Sequence, residues 1–77
     1  MDAKKLEKQA ENYKKQLQKL SNEGLEALYK DHQKAVEYAK KGIETVEPEN
    51  LNDEYANQVA YEMQSIARML LNERKNQ

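Results

Sequence analysis

Residues able to act as an acid, a base or a nucleophile are scarce in this chain. It has one histidine, His32, and no cysteine, so a histidine-based proton transfer would have to centre on that residue. The only serines, Ser21 and Ser65, do not stand in the Gly-x-Ser-x-Gly turn of a hydrolase. The residue three positions before His32 is Tyr29, which excludes the Glu-x-x-His pattern of di-iron helical bundles. The sequence therefore predicts a protein that is not an enzyme.

Sites for phosphate groups and metal ions find equally little support. A phosphate-binding loop needs several glycines, and the chain has only Gly24 and Gly42. The acidic stretch from Glu47 to Glu54 lacks the alternating ligands and the central glycine of a calcium loop. Without cysteine there is neither a thiolate metal site nor a disulfide. We therefore expect no metal, no cofactor and no small-molecule substrate.

His32 has two interpretations that the sequence leaves open. Helical spacing places it within an apolar stripe, among Leu28, Tyr29, Ala35 and Val36. One interpretation is a structural imidazole that is partly buried, neutral and hydrogen-bonded to a backbone carbonyl or a tyrosine hydroxyl. The other is a pH switch, because charging a buried imidazole lowers stability. The structural interpretation is preferred.

The main candidate for a binding surface lies on the last predicted helix, away from its apolar side. Its residues are mostly uncharged and polar, and they are Asn57, Gln58, Tyr61, Gln64, Ser65, Arg68, Met69 and Asn72. Protein interfaces are typically depleted in Lys and Glu and enriched in Tyr, Met and Arg. We therefore predict a non-catalytic protein of the regulator, inhibitor, immunity or assembly type that binds another protein here, with Tyr38 as a marginal member of the surface. The alternative is that Tyr61 covers a neighbouring helix and the amides only face water.

Lysines on the first predicted helix support a second interpretation. They cover much of one side of that helix and are Lys4, Lys5, Lys8, Lys14, Lys15 and Lys19. Phosphate contacts require little more than such a strip, so a nucleic-acid-associated accessory protein is the alternative function. Glu7 and Glu11 interrupt the strip, no arginine accompanies it, and the whole chain has a net charge of −1. These features make nucleic acid the less favoured partner.

Three helices are expected to position these residues, because apolar side chains recur every three or four positions in three segments. The predicted helices cover about residues 3–21, 25–46 and 52–73, and the tail 74–77 is expected to fray. The central helix is the most regular, and its apolar stripe consists of Leu25, Leu28, Tyr29, Ala35, Val36, Ala39, Ile43 and Val46. Short connections favour a small all-α, antiparallel three-helix bundle with up-down-up topology. The alternative fold is a long helical hairpin that forms a coiled-coil dimer.

The breaks between these helices follow from residues that end or begin helices. A turn at residues 21–24 separates the first two helices, with Gly24 in a left-handed C-terminal cap and Ser21 or Asn22 as the N-cap of the next helix. Pro48 lacks a backbone N–H and disfavours helical geometry in the residue before it, so the second helix must end there. Asn50 or Asn52 then caps the third helix.

Composition sets limits on the whole molecule. With 77 residues, of which 38% are hydrophobic, and with neither Phe nor Trp, the chain forms one domain with a thin core. Such a core gains stability from a partner protein or from a second copy, and a homodimer is favoured. No apolar run is long enough to span a bilayer, and the first helix lacks bulky aromatic anchors. We therefore expect no membrane partner and a cytoplasmic location.

Overall fold

A computed structural model describes the backbone of residues 3–76 and the side chains of residues 11–76. Over the described residues the chain forms four α-helices and one 3₁₀ turn, and no strand. The helices are α1 (Ala3–Gln18), α2 (Asn22–Lys30), α3 (His32–Val46) and α4 (Asp53–Lys75), and the turn is Pro48–Asn50. The all-helical class predicted from the sequence is confirmed. The three-helix up-down-up topology is not confirmed, because the described chain has four helices.

The helix count differs because the predicted central helix is divided at Asp31. This residue leaves helical geometry, with φ −123° and ψ 101°, and it both ends α2 and begins α3. Its backbone N–H donates to the carbonyl of Ala27. Its carboxylate accepts hydrogen bonds from the N–H groups of Gln33 and Lys34 at 3.0 and 3.4 Å. Because Asp is among the best N-cap residues, its side chain competes with a continued helix at this position.

Capping side chains also set the break between α1 and α2 and the start of α4. α1 ends at Gln18, three residues before its predicted end, and Ser21 caps α2 by accepting from the Gly24 N–H at 3.1 Å. Gly24 therefore lies in the first turn of α2. The left-handed cap predicted there is wrong, since neither glycine has a positive φ. Asn52 caps α4 by accepting from the Tyr55 N–H at 2.8 Å.

The end of α4 extends two residues beyond its predicted limit, into the segment for which the sequence predicts fraying. Arg74 accounts for this extension. Its guanidinium donates to the side chain of Asn22 at 2.8 Å and to the carbonyl of Gln18 at 3.1 Å. The second bond satisfies a carbonyl at the C-terminal end of α1, which has no partner within that helix. Gln77 lies outside the described residues.

The core forms where α4 packs against the other three helices. Its buried apolar residues are Tyr13, Leu17, Leu25, Leu28, Ala35, Ala39, Ile43, Ala56, Val59, Ala60, Met63, Ala67 and Leu70. α2 and α3 lie in succession along α4, as shown by the contact of Asn22 with Arg74 at one end and the Lys40–Asp53 ion pair at the other. Tyr29 and Val46, which the sequence places in the apolar stripe, are instead exposed.

Candidate functional site

The predicted binding surface lies on the side of α4 that points away from the core. Tyr61 and Met69 are 65% and 52% exposed, and Ser65, Arg68 and Asn72 are also exposed. Residues three or four apart on a helix are neighbours on its surface. Tyr61, Ser65 and Met69 therefore form one row, with Arg68 and Asn72 beside it. We call these five residues the α4 face.

Tyr61 is positioned by His32, the first residue of α3. The two rings stack with their centroids 4.3 Å apart and their planes inclined by 29°. The His32 ring is itself held at both nitrogens, since Nδ1 lies 2.9 Å from Gln64 Oε1 and Nε2 lies 3.1 Å from Asn57 Oδ1. The stack thus restrains the tyrosine ring while leaving most of its surface in solvent.

Gln64 forms hydrogen bonds at the break between α2 and α3. Its amide nitrogen donates to the backbone carbonyls of Leu28 and Tyr29 at 3.0 and 3.2 Å. These carbonyls stand at the C-terminal end of α2, where they have no partner within the helix. The donation fixes the orientation of the amide, so its oxygen faces His32 Nδ1, which must carry a proton.

His32 therefore occupies the hydrogen-bonded position that its structural interpretation requires. Its partners are amide side chains, and not the backbone carbonyl or tyrosine hydroxyl expected from the sequence.

Four other predicted members of the surface have separate surroundings. Asn57 and Gln64 hold His32, as described, and Gln58 is exposed beside Tyr55. Tyr38 is partly buried against the core and lies beside a groove between α1 and α3, which Gln16 and Thr45 also line. The structure therefore groups the α4 face together and leaves Tyr38 outside it.

A groove between α2 and α4 borders the α4 face. It has a volume of about 350 Å³ and is lined by Glu26, Tyr29, Lys30, Arg68, Leu71, Asn72 and Lys75. Tyr29 is 42% exposed, although helical spacing assigns it to the apolar stripe. The apolar stripe itself continues across the break at Asp31, since Leu28 and Ala35 are both buried. The sequence signal for the break is Asp31 itself, because Asp favours the N-cap position.

A second cluster surrounds Glu47, which is 4% exposed. The hydroxyls of Tyr13 and Tyr55 donate to its Oε2 at 2.7 and 2.9 Å, and the side chain of Asn50 donates to its Oε1 at 2.7 Å. Burial and the hydrogen bond to Glu47 raise the pKa of Tyr55 to about 12, and the same causes raise the pKa of Tyr13. This cluster joins α1 and α4 to the segment that follows α3, so its role is structural.

The sites of the alternative functions are only partly described. Lys15 on α1 and Lys19 in the turn after it are exposed, whereas the side chains of Lys4, Lys5 and Lys8 lie outside the described residues. Among the described residues, no group of three or more acidic, histidine or cysteine side chains is arranged to hold a metal ion. None of the helices, over the residues described, has the length and apolar character needed to cross a membrane. Comparison of the chain with protein-family models, with curated proteins and with solved structures gives no match.

Proposed function

We propose that this chain is a non-catalytic protein that acts by binding another protein through the α4 face. The observation that carries the proposal is the exposure of large apolar side chains on a face whose only formal charge is Arg68. Tyr61 and Met69 are the two most exposed large apolar side chains among the described residues. Exposed Tyr, Met and Arg with few Lys or Glu are typical of protein interfaces.

Restraint of Tyr61 supports the same proposal. Binding costs free energy when flexible side chains become ordered, and a side chain that is already ordered avoids part of this cost. Tyr61 stacks on His32, whose ring is held by two amides. The most exposed aromatic ring of the described chain is therefore preorganised on a rigid helix.

The groove between α2 and α4 enlarges this surface. Arg68 and Asn72 belong both to the α4 face and to the lining of the groove, and Tyr29 lies on the opposite wall. A partner seated on Tyr61 and Met69 would therefore also reach Tyr29. Tyr and Arg are the residue types most often found as hot spots in interfaces.

The partner is a different protein or a second copy of the chain. A coiled-coil dimer through α1 finds little support, because Tyr13 and Leu17 are 1% and 0% exposed within their own chain. If the partner is a second copy, we propose that it too binds through the α4 face. In that case Tyr61→Ala would convert the dimer to a monomer.

Affinity capture from the native lysate tests the proposal with four baits: the wild-type protein, Tyr61→Ala, Arg68→Ala and the control Glu44→Ala. Glu44 is exposed on α3 and is not part of the α4 face. We expect a protein retained by the wild type and by Glu44→Ala to be lost with Tyr61→Ala or Arg68→Ala. Each truncation should weaken binding by about 2 kcal/mol, or roughly thirtyfold in Kd.

Two results would reject the proposal. In the first, every bait retains the same proteins equally, although circular dichroism shows each bait to be folded. In the second, the captured material is released by nuclease and falls steeply with added salt, as phosphate contacts require. That result would support the nucleic-acid alternative on the lysine side of α1.

A further inference from the structure

The groove between α2 and α4 concentrates positive charge. Lys30, Arg68 and Lys75 line it, and Glu26 is its only acidic residue. The only ion pair between two described side chains is Lys40–Asp53, which lies outside the groove. The groove therefore has a local charge of +2, from three basic groups and one acidic group, in a chain whose net charge is −1. Such a groove attracts anionic groups and steers their association.

The lining of the groove also offers apolar contact. Leu71 is partly buried and Tyr29 is 42% exposed, so both present apolar surface to a ligand. The methylene stems of Lys30 and Lys75 can add to this surface while their ammonium groups stay in water. A ligand that matches the groove must therefore carry both anionic groups and apolar side chains.

The spacing of the basic groups suits carboxylates on a polypeptide. Arg68 and Lys75 are seven residues apart on α4, which corresponds to about 10 Å along the helix axis. Carboxylates separated by about seven residues on a helical partner, or by about three on an extended one, span the same distance. Arg68 can additionally bind a carboxylate through two parallel hydrogen bonds.

We propose that the groove docks an acidic peptide segment of the partner protein. Its carboxylates pair with Lys30, Arg68 and Lys75, and an apolar side chain packs on Tyr29 and Leu71. This inference rests on the proposed function and adds the chemistry of the partner to it. A nucleic acid fits less well, because a phosphate backbone favours an extended row of basic groups and the adjoining α4 face carries only one charge, that of Arg68.

Titration with defined polymers tests the inference. A random copolymer of glutamate and tyrosine serves as the acidic peptide, and a single-stranded DNA oligonucleotide serves as the nucleic acid. Each is added to isotope-labelled protein, and amide chemical shifts report the contact residues. We expect the copolymer to shift the amides of α2 and of the C-terminal half of α4, and to bind more tightly than the oligonucleotide.

A matched pair of triple variants assigns the binding to the groove. The groove variant is Lys30→Gln/Arg68→Gln/Lys75→Gln, and the control is Lys15→Gln/Lys19→Gln/Lys41→Gln, which removes the same charge from exposed sites elsewhere. The groove variant should weaken copolymer binding by about tenfold or more, and the control by about twofold or less. Equal losses would show that net charge alone attracts the polymer, and would overturn the inference.

Two further outcomes would also overturn it. Tighter binding of the oligonucleotide than of the copolymer at the groove would identify a nucleic acid as the occupant. If the amide chemical shifts of the groove residues change with protein concentration in the absence of any polymer, the occupant is a second copy of the chain.

The double variant Lys30→Gln/Lys75→Gln separates failure of this inference from failure of the proposed function, because it leaves Tyr61 and Arg68 intact. We expect a partner captured from the lysate to be lost with this variant and with Tyr61→Ala. If capture of the partner is lost with Tyr61→Ala but not with the double variant, the acidic-segment inference is wrong and the proposed function stands. If capture is unchanged with both variants, the inference and the proposed function are both wrong.

Discussion

Tyr61 is the residue whose truncation separates binding from folding. Tyr61 is 65% exposed, and its ring stacks on His32. Aromatic pairs contribute about 0.5–1.5 kcal/mol, so we expect Tyr61→Ala to lower the free energy of unfolding by about 1 kcal/mol or less. Met63, two residues further along α4, is fully buried, and Met63→Ala should cost about 2–5 kcal/mol through lost burial and a cavity.

Urea denaturation of the two variants measures this difference. If Tyr61→Ala is as destabilising as Met63→Ala, Tyr61 belongs to the core, and the α4 face is not a binding surface.

The raised pKa values of Tyr13 and Tyr55 predict a loss of stability at alkaline pH. In the unfolded chain both hydroxyls titrate near their ordinary pKa of 10.0. In the folded protein, burial and the hydrogen bond to Glu47 raise the pKa of Tyr55 to about 12, and the same causes raise the pKa of Tyr13. Above pH 10 the unfolded state therefore binds fewer protons than the folded state. The free energy of unfolding should fall as the pH rises from 10 to about 12, and these groups should leave it unchanged below pH 10.

Urea titrations across this range, repeated with Tyr55→Phe, measure the effect. Removal of the Tyr55 hydroxyl should make the fall with pH shallower, whereas Tyr61→Phe at an exposed site serves as the control. The same pH dependence in the wild type and in Tyr55→Phe would contradict the assignment.

At the scale of elements, Asp31 controls where α2 ends and α3 begins. Its carboxylate accepts from two backbone N–H groups of α3, so Asp31→Ala should lower the free energy of unfolding by about 1 kcal/mol. Asp31→Asn is the matched control, because Asn is also a good N-cap and should retain most of the stability. Thermal denaturation compares the two. An Asp31→Ala protein that is as stable as the wild type would mean that Gln64 and the packing of the core alone maintain the break.

Local residue chemistry made several elements predictable. Pro48 ends α3 because it has no backbone N–H with which to continue a helix. Asn52 caps α4 because its side chain accepts a hydrogen bond from the backbone N–H three residues further along the chain. The break at Asp31 was missed because no residue is inserted there, and the apolar spacing from Leu28 to Ala35 continues across it. Helical periodicity alone therefore favoured one helix over two.

The site was predictable only in part, for a related reason. Helical spacing within one segment brings Tyr61, Ser65 and Arg68 together, so their common side could be read directly from the sequence. The groove needs α2 beside α4, and the contacts that set this packing join residues 36 and 52 positions apart, as between Gln64 and Leu28 or Arg74 and Asn22. No local pattern specifies such pairs.

At the scale of the whole molecule, the composition of the core predicts low stability. Five of its thirteen buried apolar residues are alanines, and it contains neither Phe nor Trp. Alanine buries little area, and a domain of this size rarely gains more than about 3–5 kcal/mol from a single core. We therefore expect a free energy of unfolding of about 3–5 kcal/mol from urea denaturation. A value above about 8 kcal/mol at low protein concentration would show that the core is stronger than its composition implies.

Occupation of the α4 face by a protein is tested most directly by photocrosslinking in the cells that produce the chain. Benzoylphenylalanine replaces Tyr61 in one sample, and replaces Leu51 or Glu44 in two controls. Leu51 is 43% exposed and Glu44 is also exposed, but neither belongs to the α4 face. We predict that irradiation gives a discrete adduct heavier than the chain from position 61 and none from positions 51 and 44. The absence of an adduct at position 61, or the same adduct from all three positions, would contradict binding through the α4 face.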